Sequence, residues 1–135
     1  MQDDFKVDLS KVRIQNAEEC LKDAKELYET GGYKGAANRS YYAAFQATRA
    51  ILALDGIDMK HHSGIISEFR RLYIKTNILD SKLSDIIGSL STVRNNSDYD
   101  DFYIISKKEI PRQIENAEFF IAIVKAYLEQ RYKEL

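Results

Sequence analysis

Residues 110–128 read IPRQIENAEFFIAIVKAYL and contain the clearest periodic pattern in the chain. Apolar residues recur there at alternating steps of four and three: Ile110, Ile114, Ala117, Ile121, Val124 and Leu128. This spacing puts them on one face of an α-helix, which predicts a helix that packs against other helices. Ser106 and Glu109 have the spacing of a capping box before it. Because Pro111 fits that register poorly, we expect the regular helix to begin nearer Ile110.

The same helical spacing predicts four further helices upstream. The first two are expected over Leu9–Tyr28 and Tyr33–Leu54, with glycines ending each of them at positions 31, 32 and 56. The third is expected over Ser63–Thr76 with Ser63 as its N-cap. The fourth begins near Asp80 or Ser81, and its end stays open because residues 95–98 favour turns and caps. No strand pattern of useful length accompanies them, so the predicted fold is all-α, an antiparallel bundle of four to five helices.

Length and composition indicate one globular domain over residues 1–135, with its core at about residues 9–130. The formal net charge of −1 argues against a surface that is basic throughout, although local basic patches remain compatible with it. Cys20 is the single cysteine, which excludes an internal disulfide and is typical of the reducing cytoplasm. We also find no signal-peptide pattern and no apolar stretch of membrane-spanning length, so we expect a cytoplasmic protein without membrane contact.

Two polar segments lie before and at the start of the third helix. In the segment Asn38–Phe45 on the second helix, Asn38 and Tyr42 line up with Arg49 and form a polar strip beside the apolar face. An ordinary solvent-facing helix surface would also account for this strip. In the second segment, His61 and His62 are adjacent and lack the paired spacing of zinc ligands, so no metal or cofactor is expected. A locally basic surface that suits phosphate and a plain solvated loop both fit this segment.

A third polar segment runs from Arg94 to Asp101. Arg94 continues the inward apolar stripe of the fourth helix, and a buried unpaired charge is costly, so this side chain needs a partner. Asp98 lies four residues later and can supply an ion pair, which would give Arg94 a purely structural role.

These three segments, in this order, resemble the HEPN proteins (the higher-eukaryote and prokaryote nucleotide-binding family). The matching motifs are Asn-Arg-Ser-Tyr-Tyr-Ala-Ala-Phe at 38–45, Lys-x-His-Ser-Gly at 60–64 and Arg-x-x-x-Asp-Tyr at 94–99. The resemblance implies a bundle of four or five helices, often a homodimer. It also implies a metal-independent RNase or a toxin that is paired with a minimal nucleotidyltransferase antitoxin.

The chain departs from the family at its catalytic motif, an arginine followed after four to six residues by histidine. Tyr99 stands at that place here, and no histidine follows Arg94. A tyrosine with a pKa of about 10 is a poor general base at neutral pH. The neighbouring carboxylates of Asp98 and Asp100 would also repel an RNA phosphate.

Two functional hypotheses and one structural alternative follow. In the favoured hypothesis, the protein binds a nucleotide, RNA or a nucleotidyltransferase partner without cleaving RNA. The ligand-binding residues would then be Asn38, Arg39, Tyr42, Arg94, Asp98 and Tyr99. In the second, it is a metal-independent RNase toxin in which Arg94 holds phosphate and His61 or His62 moves the proton. The structural alternative is a bundle that serves only to dimerise, for which Phe120, Ile123 and Tyr127 would offer an exposed apolar face.

Overall fold

The structure is a computed structural model that describes residues 3–135. It contains five α-helices and one π-helical segment. These are α1 (Asp3–Glu29), α2 (Tyr33–Leu54), α3 (His62–Phe69), the π-helical segment (Arg70–Ile74), α4 (Lys82–Tyr99) and α5 (Glu109–Glu134). The described residues include no strand, which confirms the predicted all-α class.

Helix α2 lies at the centre of the bundle and contacts all four other α-helices. Its buried face is rich in alanine, which lets neighbouring helices approach closely: Ala36, Ala37, Ala43, Ala44, Ala47, Ala50 and Ala53. Gly31 has φ +85° in the tight link between α1 and α2, and Gly56 has φ +73° just after α2. Glycine adopts this left-handed conformation without a steric penalty, so both predicted helix ends are confirmed.

The predicted bounds are confirmed for α2, whereas α1 begins six residues earlier than expected, at Asp3. The prediction that Ser63 is the N-cap of α3 is wrong: the N-cap is His61, and Ser63 lies inside the helix. Packing fixes this start, because the His62 ring stacks on Phe45 of α2 with 4.0 Å between ring centroids. Local helix propensity does not predict such a tertiary contact.

The third predicted helix was also expected to continue to Thr76, but its regular part ends at Phe69. The chain then widens into the π-helical segment, where the Lys75 N–H donates to the Arg70 carbonyl at 2.9 Å. This widened turn holds the buried Tyr73, whose hydroxyl donates to Asp55 at the end of α2. Arg131 of α5 donates to the same hydroxyl at 2.8 Å. The segment is therefore tied to two other helices.

Helix α5 begins at Glu109, next to the predicted start near Ile110. The predicted capping box does not cap it: the N-cap is Lys108, without a side-chain cap hydrogen bond, and the Glu109 N–H donates to Ser106 Oγ at 3.2 Å in the turn before the helix. Pro111 falls in the first turn, where its missing N–H has no intrahelical partner to lose.

The expectation of an exposed apolar face on α5 is wrong. Phe120 is fully buried and packs against Phe69 of α3, with 5.8 Å between ring centroids. Ile123 and Tyr127 are partly buried against the same core. The reason is that α5 contacts three helices, α1, α2 and α4. These neighbours cover more of its surface than the single apolar stripe seen in the sequence. No helix within residues 3–135 is both long enough and apolar enough to cross a membrane.

Candidate phosphate-binding cleft

A cleft of about 610 Å³ lies between α2, α4 and one side of α3 with the first residue of the π-helical segment. Its lining is polar and aromatic: Tyr41, Tyr42, His62, Ser63, Ile66, Ser67, Arg70, Ser91, Arg94 and Asn95. Two guanidinium groups and one imidazole face this space, and none of the lining residues carries a carboxylate. We refer to it as the Arg94 cleft.

Arg94 is held at the cleft by contacts on several sides of its guanidinium group. Its Nη2 donates to Tyr42 Oη at 3.2 Å, and its Nη1 donates to Asn95 Oδ1 at 3.2 Å. Its Cζ lies 5.4 Å from the ring centroids of both Tyr41 and Tyr42, which is within cation–π range. These contacts fix the orientation of the group before any ligand arrives.

The ion pair between Arg94 and Asp98 forms, but it leaves part of the guanidinium group available. Asp98 Oδ2 lies 3.1 Å from Arg94 Nε, yet the N–H does not point at it, so this contact is an ion pair without a hydrogen bond. The same Asp98 oxygen accepts a hydrogen bond from Asn38 Nδ2 at 3.1 Å. A guanidinium group has five N–H donors. One N–H on each terminal nitrogen of Arg94 has no partner among the described residues.

His62 lies in the first turn of α3 and contacts the same two tyrosines as Arg94. Its Nδ1 is 3.0 Å from Tyr41 Oη, and its ring centroid is 5.6 Å from that of Tyr42. Within residues 3–135, its Nε2 makes no hydrogen bond. Burial lowers the pKa of His62, and the positive charges of Arg94 and Arg49 lower it further. The imidazole is therefore neutral at pH 7 and can exchange a proton.

The lowered pKa of His62 predicts a loss of stability in acid. Below about pH 6.5 the unfolded chain binds more protons at this residue than the folded protein does. The contribution of neutral His62 is therefore complete above that pH and is lost as the pH falls toward its folded pKa. We expect the free energy of unfolding, measured by urea denaturation, to fall less in His62→Gln than in wild type between about pH 7 and about pH 5. An equal fall in both proteins would contradict this assignment.

Tyr41 completes the contact between His62 and α2. Burial raises the pKa of its hydroxyl to about 12, so it stays protonated. In the tautomer in which His62 Nδ1 donates to Tyr41 Oη, the Nε2 lone pair is free to accept a proton.

The other residues predicted from the sequence lie around the cleft rather than in its wall. Arg39 donates to Asn38 Oδ1 through Nε and Nη2, at 3.0 and 2.6 Å. Its Cζ lies 4.9 Å from the Tyr42 ring centroid, which is within cation–π range. Tyr99 is exposed, with its ring centroid 5.6 Å from Arg94 Cζ. His61 is exposed and does not line this cleft. The structure thus brings His62, Tyr42 and Arg94 together.

Sequence reasoning did not place Tyr41, Arg70 or the serines in the site. Tyr41 is buried in the core, but its hydroxyl reaches His62. Arg70 Nε donates to Ser84 Oγ at 2.9 Å, which fixes the guanidinium group beside α4. A usable signal existed: Ser63, Ser67 and Arg70 are spaced by four and three residues, so they share one face of α3 and its extension. Among the described residues, no group of three histidine, cysteine or acidic side chains is arranged to hold a metal.

A scan for known protein families matches residues 10–127 to the HEPN domain. The chain belongs to the HEPN family. This match covers the whole helical bundle apart from the beginning of α1 and the end of α5, and it confirms the resemblance that the three motifs indicated.

Individual relatives agree with this membership. A protein of Methanocaldococcus jannaschii named "Putative toxin" is 34% identical over 92% of this chain and 84% of its own length. A second protein of that organism with the same name is 30% identical over 87% of each chain. A UPF0332 protein of Thermotoga maritima is 30% identical over 85% of this chain and 87% of its own. Two of these three relatives are thus named as toxins.

Proposed function

We propose that this HEPN protein binds the phosphate groups of RNA or of a nucleotide in the Arg94 cleft, as a component of a toxin–antitoxin-like system. One observation carries the proposal. A chain with a net charge of −1 gathers two guanidinium groups and an imidazole in one cleft whose lining contains no carboxylate. Positive charge in a concave site raises the local concentration of an anion.

The side chains of the cleft have the chemistry that phosphate requires. The planar guanidinium group of Arg94 keeps N–H donors on both terminal nitrogens, and such forks match the geometry of phosphate oxygens. Ser63, Ser67 and Ser91 supply hydroxyl donors from two different helices. A volume of about 610 Å³ lies in the range of sites for small ligands, so one nucleotide unit fits the cleft.

The proposed partners follow from the family. The two relatives named as toxins support the presence of a cognate antitoxin, and the resemblance of the motifs implies a minimal nucleotidyltransferase in that role. A homodimer is the assembly that the resemblance implies.

Equilibrium binding tests the proposal directly. We expect a fluorescent RNA octanucleotide with 2′-O-methyl groups, which cannot be cleaved through a 2′-hydroxyl, to bind saturably at low salt. Adenosine 5′-monophosphate and inorganic phosphate are expected to compete, and added salt is expected to weaken the affinity. If folded protein bound neither the RNA nor the mononucleotide at low salt, the proposal would fail.

A second candidate function is metal-independent RNA cleavage, and the position of His62 favours it. His62 and Arg94 share contacts with Tyr41 and Tyr42 although Tyr99 replaces the family's histidine. In this reaction His62 Nε2 removes the 2′-hydroxyl proton, and the 2′-oxygen forms a bond to the adjacent phosphorus. The bond to the 5′-oxygen breaks and that oxygen takes up a proton, which leaves a 2′,3′-cyclic phosphate and a 5′-hydroxyl. Arg94 would offset the negative charge that develops on the phosphate.

A cleavage assay on unmodified RNA in the presence of EDTA separates the two functions. Cleavage that is lost in both His62→Ala and Arg94→Ala but kept in His61→Ala would establish the nuclease. His61 is a matched control, since it is adjacent, exposed and outside the cleft. RNA left intact by folded wild-type protein would rule out the second candidate and leave the binding function.

A further inference from the structure

A second cleft of about 430 Å³ lies on the other side of His62. It is lined by Phe45, Arg49, Asp58, Met59, Lys60 and His62. His62 belongs to the walls of both clefts, so the imidazole marks the place where they meet. We refer to this second space as the Lys60 cleft.

The Lys60 cleft is also positively charged on balance. Asp58 is its one carboxylate, and a single oxygen, Oδ1, lies 3.3 Å from Arg49 Nη2 and 3.2 Å from Arg13 Nη2. Arg13 is buried, with a side chain that is 7% exposed, and so adds its charge from below the surface. Lys60 is exposed and forms no ion pair with the described residues. The wall of this cleft therefore carries two cations, Arg49 and Lys60, and one carboxylate, and the buried Arg13 pairs with that carboxylate from behind.

The charges on both sides act on the shared histidine. Arg94 on one side and Arg49 on the other each lower the pKa of His62. Cationic side chains thus line both spaces: Arg70 and Arg94 the Arg94 cleft, and Arg49 and Lys60 the Lys60 cleft.

We propose that the two clefts form one groove for a single-stranded RNA segment, with consecutive phosphates on either side of His62. This inference rests on the proposed function and specifies its ligand. A mononucleotide has its charge at one position and can occupy the Arg94 cleft alone. A strand can place one phosphate beside Arg94 and Arg70 and the next beside Lys60 and Arg49. The groove therefore favours a strand over a mononucleotide.

The test measures how a substitution in each cleft changes the affinity for ligands of different length. Binding of adenosine 5′-monophosphate, a 2′-O-methyl dinucleotide and a 2′-O-methyl octanucleotide would be measured for wild type, Lys60→Ala and Arg94→Ala. Lys75→Ala is the matched control, because Lys75 is exposed and lines neither cleft. Salt titrations report the number of phosphate contacts, since each contact on a single strand contributes a slope of about −0.7 to log K against log salt.

We expect Lys60→Ala to reduce the magnitude of this slope by about 0.7 for the octanucleotide. The mononucleotide is expected to bind Lys60→Ala and wild type equally, whereas Arg94→Ala weakens the binding of both ligands. If the octanucleotide bound no more tightly than the mononucleotide, or if Lys60→Ala matched Lys75→Ala, the groove would be refuted while the Arg94 cleft stood. If Arg94→Ala left both ligands unaffected, the proposed function itself would fail, and the groove with it.

Discussion

Replacing Arg94 with alanine is expected to weaken the binding of a 2′-O-methyl RNA octanucleotide by about 10- to 100-fold, since a hydrogen bond to a charged group is worth about 1.5–3 kcal/mol. Arg94 combines a fixed position with unused donors. Tyr42 and Asn95 orient the guanidinium group, and an N–H on each terminal nitrogen stays available to a ligand. Fluorescence anisotropy at constant low salt gives the ratio of dissociation constants.

Arg71→Ala is the matched control for this measurement. Arg71 follows Arg70 directly but is exposed, pairs with Glu68 and lines neither cleft. We expect Arg71→Ala to bind RNA like wild type. Arg94→Lys keeps the charge without the planar fork, so an affinity between those of wild type and Arg94→Ala is expected. Equal affinities of Arg94→Ala and Arg71→Ala, with both proteins folded by circular dichroism, would remove Arg94 from the site.

Replacing Phe120 with alanine is expected to lower the free energy of unfolding by about 3–5 kcal/mol. Phe120 is fully buried, and its ring packs on that of Phe69. Removing it leaves a cavity between α3 and α5 and so weakens the support of the helix that positions His62. Urea denaturation gives the change in the free energy of unfolding.

Phe119→Ala serves as the comparison, because Phe119 is the preceding residue on α5 and is 40% exposed. We expect this variant to lose much less stability, since most surface substitutions change the free energy of unfolding by less than about 0.5 kcal/mol. Comparing Phe120→Ala with Phe119→Ala also tests whether Phe120 belongs to an exposed dimer interface. If Phe120→Ala kept the stability of wild type and changed the oligomeric state instead, Phe120 would belong to an interface and not to the core.

The sequence predicts the bundle well where a helix has one apolar face and glycine at its end. Helix α2 has both, and its bounds are as predicted. The sequence leaves open the helix ends that tertiary contacts decide. Helix α4 continues through Asn95, Asn96 and Ser97 to Tyr99, although these residue types favour turns. Ser97 is buried, and Asp98 is held by both Arg94 and Asn38, which extends the helix.

Local spacing also limits what the sequence reveals about the site. The Arg94–Asp98 ion pair could be predicted because its partners are four residues apart on one helix. The approach of His62 to Arg94 could not, since they lie on different helices and meet through Tyr41 and Tyr42 of a third. Between two adjacent histidines, the sequence offers no reason to prefer His62. The structure separates them, because His62 packs on Phe45 whereas His61 faces solvent.

The most direct test of the central claim is an amide NMR titration with the 2′-O-methyl RNA octanucleotide at low salt. Binding in the Arg94 cleft predicts that the largest shift changes occur at Ser67, Ser91 and Asn95, which line it from α3 and α4. The C-terminal turns of α5, remote in sequence and absent from the cleft wall, are expected to stay unchanged. Shift changes that cluster away from these three amides, or none at saturating RNA, would contradict phosphate binding in this cleft.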